Sequence, residues 1–336
     1  MTIDWGGRGG VAAHQPANPS DPGDPAYDWT RYDAAIEAAA QQGISVLLTI
    51  WGTPAWANGG RAPQWPPTSP VSLHDFAFAA ASRYSGRYTT SAGATLPRVS
   101  LWLAWNEPNN PVYLLPQYTR VHGRWAMASA ATYAKLCTAL YRGVHAAQQS
   151  AKVACGATAP RGNDLPQSSR PSADPISFLR NVRAAGLRNF DAWAHHPYYG
   201  SRFETPTTQP PASTRAIELG NIDVLIRELT RLYGPRRVWI TEYGFQTSPP
   251  DPYYGVSWTK QARYLAEAFA IARRNPRIDL LCWFLLKDDI PLGGWQSGLE
   301  TSDGRRKPAF GVYQHLFGSR TDTRLGSVRP PDRGAA

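Results

Sequence analysis

Two acidic residues stand where apolar strands should end. The run LWLAWNEPNN at 101–110 breaks from apolar and aromatic residues into Asn106, Glu107 and Pro108, and RRVWITEYGF at 236–245 sets Glu242 in an equally apolar run. Pro108 donates no backbone hydrogen bond, so it turns the chain out of a sheet and leaves Glu107 at the strand's C-terminal mouth. Val238, Ile240 and Glu242 share one parity and Gly244 releases the chain two residues later, which gives Glu242 the same setting. Burying or half-burying a carboxylate costs several kcal/mol unless it is paired or hydrogen-bonded. Two readings follow. Each carboxylate can be a structural partner of an Arg, or the two can do chemistry together. Glycoside hydrolysis needs one carboxyl to protonate the departing oxygen and a second, ionised one to attack or stabilise the anomeric carbon. In a regular strand Asn106 and Glu107 would face opposite ways, so a bulge or sharp bend is expected there.

The elements that must position these residues read as alternating strands and helices. Apolar, β-rich runs occur at 2–5, 44–50, 99–105, 152–156, 190–196, 237–243 and 278–286. Between them lie segments of period near 3.6, as at 131–148 and 217–233, and 174–186 opens on an Asp cap with Pro175 in its first turn and closes on Gly186. Helix-to-strand connections are a few residues long, 84–98 excepted. Strand-to-helix connections (51–71, 106–130, 157–174, 197–213, 244–257, 287–307) are long and rich in Pro, Gly, Asn and Trp. One face elaborated and the other trimmed is how α/β barrels build sites at the C-terminal ends of their strands. The expected fold class is therefore α/β, a (β/α)8 TIM barrel over 1–317, followed by a disordered Arg/Gly/Pro-rich tail at 318–336. Seven strands are counted where closure takes eight, and the deficit falls at the first βα unit: the true start lies upstream, or another element closes the barrel.

Composition narrows the partners. The formal charge of +10 is carried by scattered Arg with no stripe or arm, so no nucleic-acid partner is expected. No apolar run approaches the roughly 18 residues of a membrane span. Thirteen Trp and sixteen Tyr are a sharper deviation. Several Trp (Trp56, Trp65, Trp125, Trp258, Trp295) fall in expected loops, where a flat face with a polar edge suits a sugar ring. The three Cys (Cys137, Cys155, Cys282) are far apart, each inside an apolar pattern, and read as buried free thiols. Neither metal-ligand spacing nor a Gly-rich phosphate loop is present, so no cofactor is expected and the metal set is none. MTIDWGGRGG holds no export signal; secretion is expected only if the true start lies upstream.

LWLAWNEPN and VWITEYGF together resemble the acid/base and nucleophile motifs of the clan A glycoside hydrolases, retaining (β/α)8 enzymes with these residues on strands four and seven. With TIWGTPAWANG (49–59), AHHPYYG (194–200) and WFLLKDD (283–289), the chain over 1–315 is most similar to family 39, with family 5 cellulase-like enzymes next. The resemblance implies hydrolysis of the O-glycosidic bonds of a poly- or oligosaccharide, with Glu107 as acid/base, Glu242 as nucleophile and Asn106 on the sugar 2-hydroxyl. It further implies His196, with His195 competing for the place, and Tyr198 beside the two carboxylates. Trp283 would floor the sugar subsite, or lie in the core with Phe284 facing the ligand, and Trp51 and Trp56 would wall further subsites. One feature is missing, the Arg that such enzymes carry on strand two near the nucleophile. The alternative function is a catalytically inactive barrel that binds polysaccharide through its aromatic loops.

Overall fold

A computed structural model describes residues 1–317; the expected disordered tail lies outside the described residues. Contacts divide the chain into two compact units, Met1–Ala194 and the part from His195 onward.

The first unit contains β1 (Thr2–Asp4), α1 (Thr30–Gln41), β2 (Leu47–Trp51), the short α2 (Ala55–Asn58), α3 (Pro70–Arg83), β3 (Leu101–Ala104), β4 (Thr119–Val121), β5 (Arg124–Ala126), α4 (Ala128–Ala147), β6 (Lys152–Thr158) and α5 (Pro175–Ala184). It ends in β7 (Ala192–His195), whose last residue opens the second unit. Its main sheet runs β1-β2-β3-β6-β7, in chain order. Pairing is parallel from β1 to β6, with Thr2 opposite Thr49, Leu48 opposite Trp102 and Leu101 opposite Lys152. Sequence order and sheet order coincide because each helix crosses back over the sheet to deliver the next strand alongside the last.

Local chemistry explains the helix ends. The Asp174 carboxylate accepts from the Ile176 and Ser177 amides at the start of α5, with Pro175 at a position that needs no donor. Gly186, at φ +99°, then turns the chain toward β7. Ser69 and Pro70 open α3 in the same manner. A fourth strand-like signal was absent from 106–130, yet β4 and β5 pair there as an antiparallel hairpin through His122 and Gly123, both at positive φ. Their strand residues are mostly exposed and show no apolar alternation. The second strand is shorter at its start than its apolar run, since Ile44 is left in solvent.

The second unit holds two 3₁₀ turns (Ala212–Thr214 and Leu219–Asn221), α6 (Ile222–Tyr233), β8 (Arg237–Tyr243), α7 (Trp258–Arg274), β9 (Ile278–Trp283) and α8 (Pro308–Phe317). The helix expected from 217 starts at 222, because Glu218 and Asn221 cap each other and spend the preceding residues on a turn. β8 and β9 are parallel, with register irregularities on either side of Trp239 and Ile240. No helix among the described residues is long and apolar enough to cross a membrane.

Much of the tryptophan excess goes into packing. Trp5, Trp102, Trp105, Trp193 and Trp239 are among the largest fully buried side chains, and in the first unit Phe76 is stacked between Trp5 and Trp29 at centroid distances of 5.5 and 5.6 Å. The cysteines differ from expectation. Cys137 on α4 and Cys155 on β6 are joined as a disulfide, their Cα atoms 6.1 Å apart, within bridging range. They lie 18 positions apart in sequence. The connection after α4 is short and the strand returns along the helix, so that helical rise of about 1.5 Å and strand rise of about 3.3 Å per residue bring them level. Cys282 is a free thiol, but exposed rather than buried: its neighbours Leu281 and Trp283 point into the core while the face carrying Cys282 is uncovered by the described residues.

Candidate active site

In the first unit β3 stops at Ala104, and Glu107 lies beyond it on a bend made by two residues in the left-handed region, Trp105 (φ 67°) and Glu107 (φ 35°). Left-handed conformations cost a non-glycine residue of order 1–3 kcal/mol each and persist only where neighbours enforce them. Here the Glu107 amide donates to the Ala157 carbonyl beyond the middle of β6 at 2.9 Å, and the Trp105 indole donates to the Tyr113 carbonyl at 2.8 Å. Buried Asn109 bridges to β6's loop, donating to the Ala159 and Ala173 carbonyls and accepting from the Ala159 amide. Gln117 donates to the Pro108 carbonyl at 3.0 Å. The bend is thus stitched on both sides, and it leaves Asn106 and Glu107 both partly exposed instead of on opposite faces. Glu107 Oε2 accepts from the Asn110 side chain at 2.9 Å, and Arg170 reaches the oxygen of that same amide at 3.4 Å. Asn110 and Arg170 carried no signal in the sequence, because both belong to long loops whose course no periodicity fixes.

Trp51 and Trp56 also belong to this unit. Trp51 ends β2, with its indole donating to the Tyr113 carbonyl at 3.2 Å and its ring edge-on to Trp105 and Tyr113. Trp56, on α2, donates to the Ala12 carbonyl at 2.9 Å and sits edge-on to Trp5. Both are half-buried, each with its polar edge already engaged and part of its face open.

In the second unit Glu242 is the next-to-last residue of β8, its side chain 25% exposed. The Tyr198 hydroxyl donates to its Oε2 at 3.2 Å, and His196 Nδ1 lies 3.7 Å from the same oxygen. His196 is wholly buried, and its Nε2 is within 3.0 Å of the Thr241 hydroxyl, which fixes the ring. The two neighbouring histidines separate cleanly: His195 turns away and its Nε2 bonds the Ile217 carbonyl at 2.9 Å. Gly244 is required just past the strand, since a β-carbon there would come within 2.4 Å of the Phe284 carbonyl oxygen.

Trp283 is 9% exposed, edge-on to Tyr243, with its indole N–H given to the Ser297 carbonyl at 2.9 Å. The next ring, Phe284, is the one that reaches the surroundings of Glu242, meeting Tyr198 edge-on at 6.5 Å. Trp295, from the loop after β9, lies closer still to Tyr198, at 5.0 Å. Burial pushes the Tyr243 phenol, which stacks behind Tyr198, well above its usual range. Each carboxylate therefore sits at or just beyond the C-terminal end of a strand, half open, with the Asn110 amide beside Glu107 and the Tyr198 phenol beside Glu242. Such a setting keeps a carboxylate available for reaction. Among the described residues no cluster of three or more His, Cys, Asp or Glu is placed to hold a metal ion.

Solved structures similar to this chain are glycoside hydrolases. They include a family 39 glycoside hydrolase from the gut symbiont Bacteroides cellulosilyticus WH2, at 20% identity and TM-score 0.62, covering 92% of this chain and 55% of that one. A glucosidase from Croceicoccus marinus matches at 15% identity and TM-score 0.64 over 93% and 58% of the two chains. A monomeric β-xylosidase from Caulobacter crescentus CB15 matches at 20% and 0.54 over 86% and 56%. The chain spans little more than half the length of these proteins. At such identities the likeness shows the fold, that of the (β/α)8-barrel glycoside hydrolases of clan A, with family 39 prominent among them. No curated protein matches the chain in sequence. A family profile does match, over residues 74–327, and by it the chain belongs to DUF5722, a family of unknown function.

Proposed function

We propose that this chain is a retaining glycoside hydrolase that cleaves O-glycosidic bonds of an oligo- or polysaccharide by double displacement. Glu242 attacks the anomeric carbon while Glu107 gives its proton to the departing oxygen, so the glycosidic bond breaks as the glycosyl–enzyme ester forms. Glu107, now ionised, takes a proton from water; that oxygen attacks the anomeric carbon and frees Glu242 with net retention. Asn106 would bond the 2-hydroxyl, a contact that strengthens as the ring gains oxocarbenium character. The observation that carries this reading is Glu242 itself, a partly exposed carboxylate at a strand end with a phenol donor at 3.2 Å and an imidazole at 3.7 Å. The glucosidase and β-xylosidase among the similar structures support the same class of reaction.

The test is a panel of aryl glycosides and polysaccharides, with the first-formed product followed by NMR. Retained configuration is expected, and early release of inverted product would sink the mechanism.

A further inference from the structure

The Tyr198 phenol that donates to Glu242 has rings around it. Tyr243 stacks behind it and is fully buried, Phe284 meets it edge-on, and Trp295 lies 5.0 Å away, tilted by 32°. Trp295 is also edge-on to Phe284, at 5.5 Å, yet its side chain stays 38% exposed. Large indole faces are normally hidden, so an open one beside a reactive carboxylate calls for a ligand face to cover it.

The loop is built to keep it there. The Trp295 amide donates to Asp289 Oδ2 at 2.8 Å and the Asp289 amide donates to the Trp295 carbonyl at 2.9 Å, closing the loop at its neck. The Gln296 amide donates to Gln246 Oε1, and the Gln296 carbonyl accepts from the Thr247 amide at 3.0 Å and from Lys307 Nζ at 3.2 Å. Lys307 is buried, and its ammonium also donates to Asp288 at 2.7 and 2.8 Å and to the Thr247 hydroxyl at 2.9 Å. A buried ion pair is a costly way to fix a loop and is tolerated only when fully bonded, as this one is. What it fixes, against the end of β8, is the segment that carries Trp295.

We propose that Trp295 is a stacking platform for the sugar unit on the glycone side of the site, contacting a neutral ring through its C–H face. This rests on Glu242 being the nucleophile. The nucleophile must lie under the anomeric carbon, so side chains gathered around it touch the sugar that carries this carbon, whereas the leaving group lies toward the acid. A ring whose hydroxyls are all equatorial presents only C–H groups on its faces, and the indole selects for that surface; xylo- and gluco-configured sugars meet the description.

The experiment uses the full chain, its Trp295→Ala and Trp295→Phe variants, and two probes, the 2,4-dinitrophenyl 2-deoxy-2-fluoro-β-D-xyloside and -β-D-glucoside. Covalent mass gain of intact protein is followed against probe concentration, and the labelled peptide is mapped. Wild type should be labelled on Glu242 by at least one probe. Trp295→Ala should need about ten-fold more probe for half-maximal labelling, with the maximal rate changed by less than about three-fold. Trp295→Phe should recover most of the loss. Identical concentration dependence in wild type and Trp295→Ala would overturn the platform and leave Glu242 as nucleophile. Absence of labelling of the wild type by both probes would overturn the nucleophile and the platform with it.

Discussion

The hydroxyl of Tyr198 is the donor whose loss the site should feel most simply, because it reaches Glu242 Oε2 without any charge of its own. Hydrogen bonds to ionised groups contribute about 1.5–3 kcal/mol, so Tyr198→Phe should lower kcat/KM by roughly ten- to one-hundred-fold while the melting temperature stays close to wild type. A loss smaller than two-fold would remove Tyr198 from the reaction. The carboxylates separate by rescue. Glu242→Gly should be inactive on aryl glycosides and recover turnover with added azide, which then appears as a glycosyl azide of inverted configuration. Glu107→Ala should keep most of its kcat/KM toward a dinitrophenyl leaving group, whose departure needs no proton, while kcat falls because the glycosyl–enzyme has lost its base, and it should lose kcat/KM toward poor leaving groups. At this scale the sequence was legible wherever a residue type broke a pattern: an acid at the end of an apolar run stands out. It was illegible where two neighbours of the same kind competed. His195 and His196, or Trp283 and Phe284, differ only in the direction they face, and that is decided by the Ile217 and Ser297 carbonyls, far away in the chain.

Elements were legible to the degree that burial patterned them. Among the described residues, apolar runs located the seven strands of the main sheet, since strands covered on both faces read as continuous hydrophobic stretches. The β4–β5 hairpin escaped because its residues are solvent-facing and its turn rests on positive φ at His122 and Gly123. The Cys137–Cys155 link escaped because it depends on how far a helix and the following strand travel back, not on spacing. Alkylation of the denatured, unreduced chain should therefore modify one thiol, Cys282, and all three after reduction. Three modified thiols before reduction would show the link is not formed. The Lys307–Asp288 pair is likewise invisible in sequence, being an ordinary surface pairing by type and a buried one by place. Burial pulls the Lys307 ammonium below its usual range, and its bond and charge pairing with Asp288 act against that shift. Lys307→Met leaves Asp288 uncompensated, at a cost of about 3–5 kcal/mol, and should lower the melting temperature by several degrees; an unchanged melt would contradict the pair's role in fixing the loop.

For the molecule as a whole, the response to acid depends on which carboxylates the fold holds ionised. Asp191, just before β7, is one such case in the first unit. Burial alone would raise its carboxyl, but the His145 imidazole at 3.0 Å, the Val153 amide at 2.8 Å and the Lys152 ammonium at 3.5 Å outweigh that and hold it below its usual range. These partners come from the end of α4 and the start of β6, so one side chain ties the entry of β7 to both elements. A carboxyl depressed in the folded state contributes stability that is present above the unfolded value, about 3.9, and lost as pH falls through the lower folded value. The Asp164 and Asp174 carboxyls oppose one another instead. Burial drives Asp174 up, while in Asp164 it is overcome by bonds from Asp174 and Ser177 that hold the group down. Asp191→Asn keeps the shape and removes the charge. Its destabilisation, measured by urea unfolding, should be about 1.5–3 kcal/mol at pH 7, stay constant down to about pH 5, and shrink below pH 4 as wild-type Asp191 takes up its proton. A gap between the two proteins that persists undiminished to pH 3, or that opens only on acidification, would mean that the charge of Asp191 is not what holds these elements together.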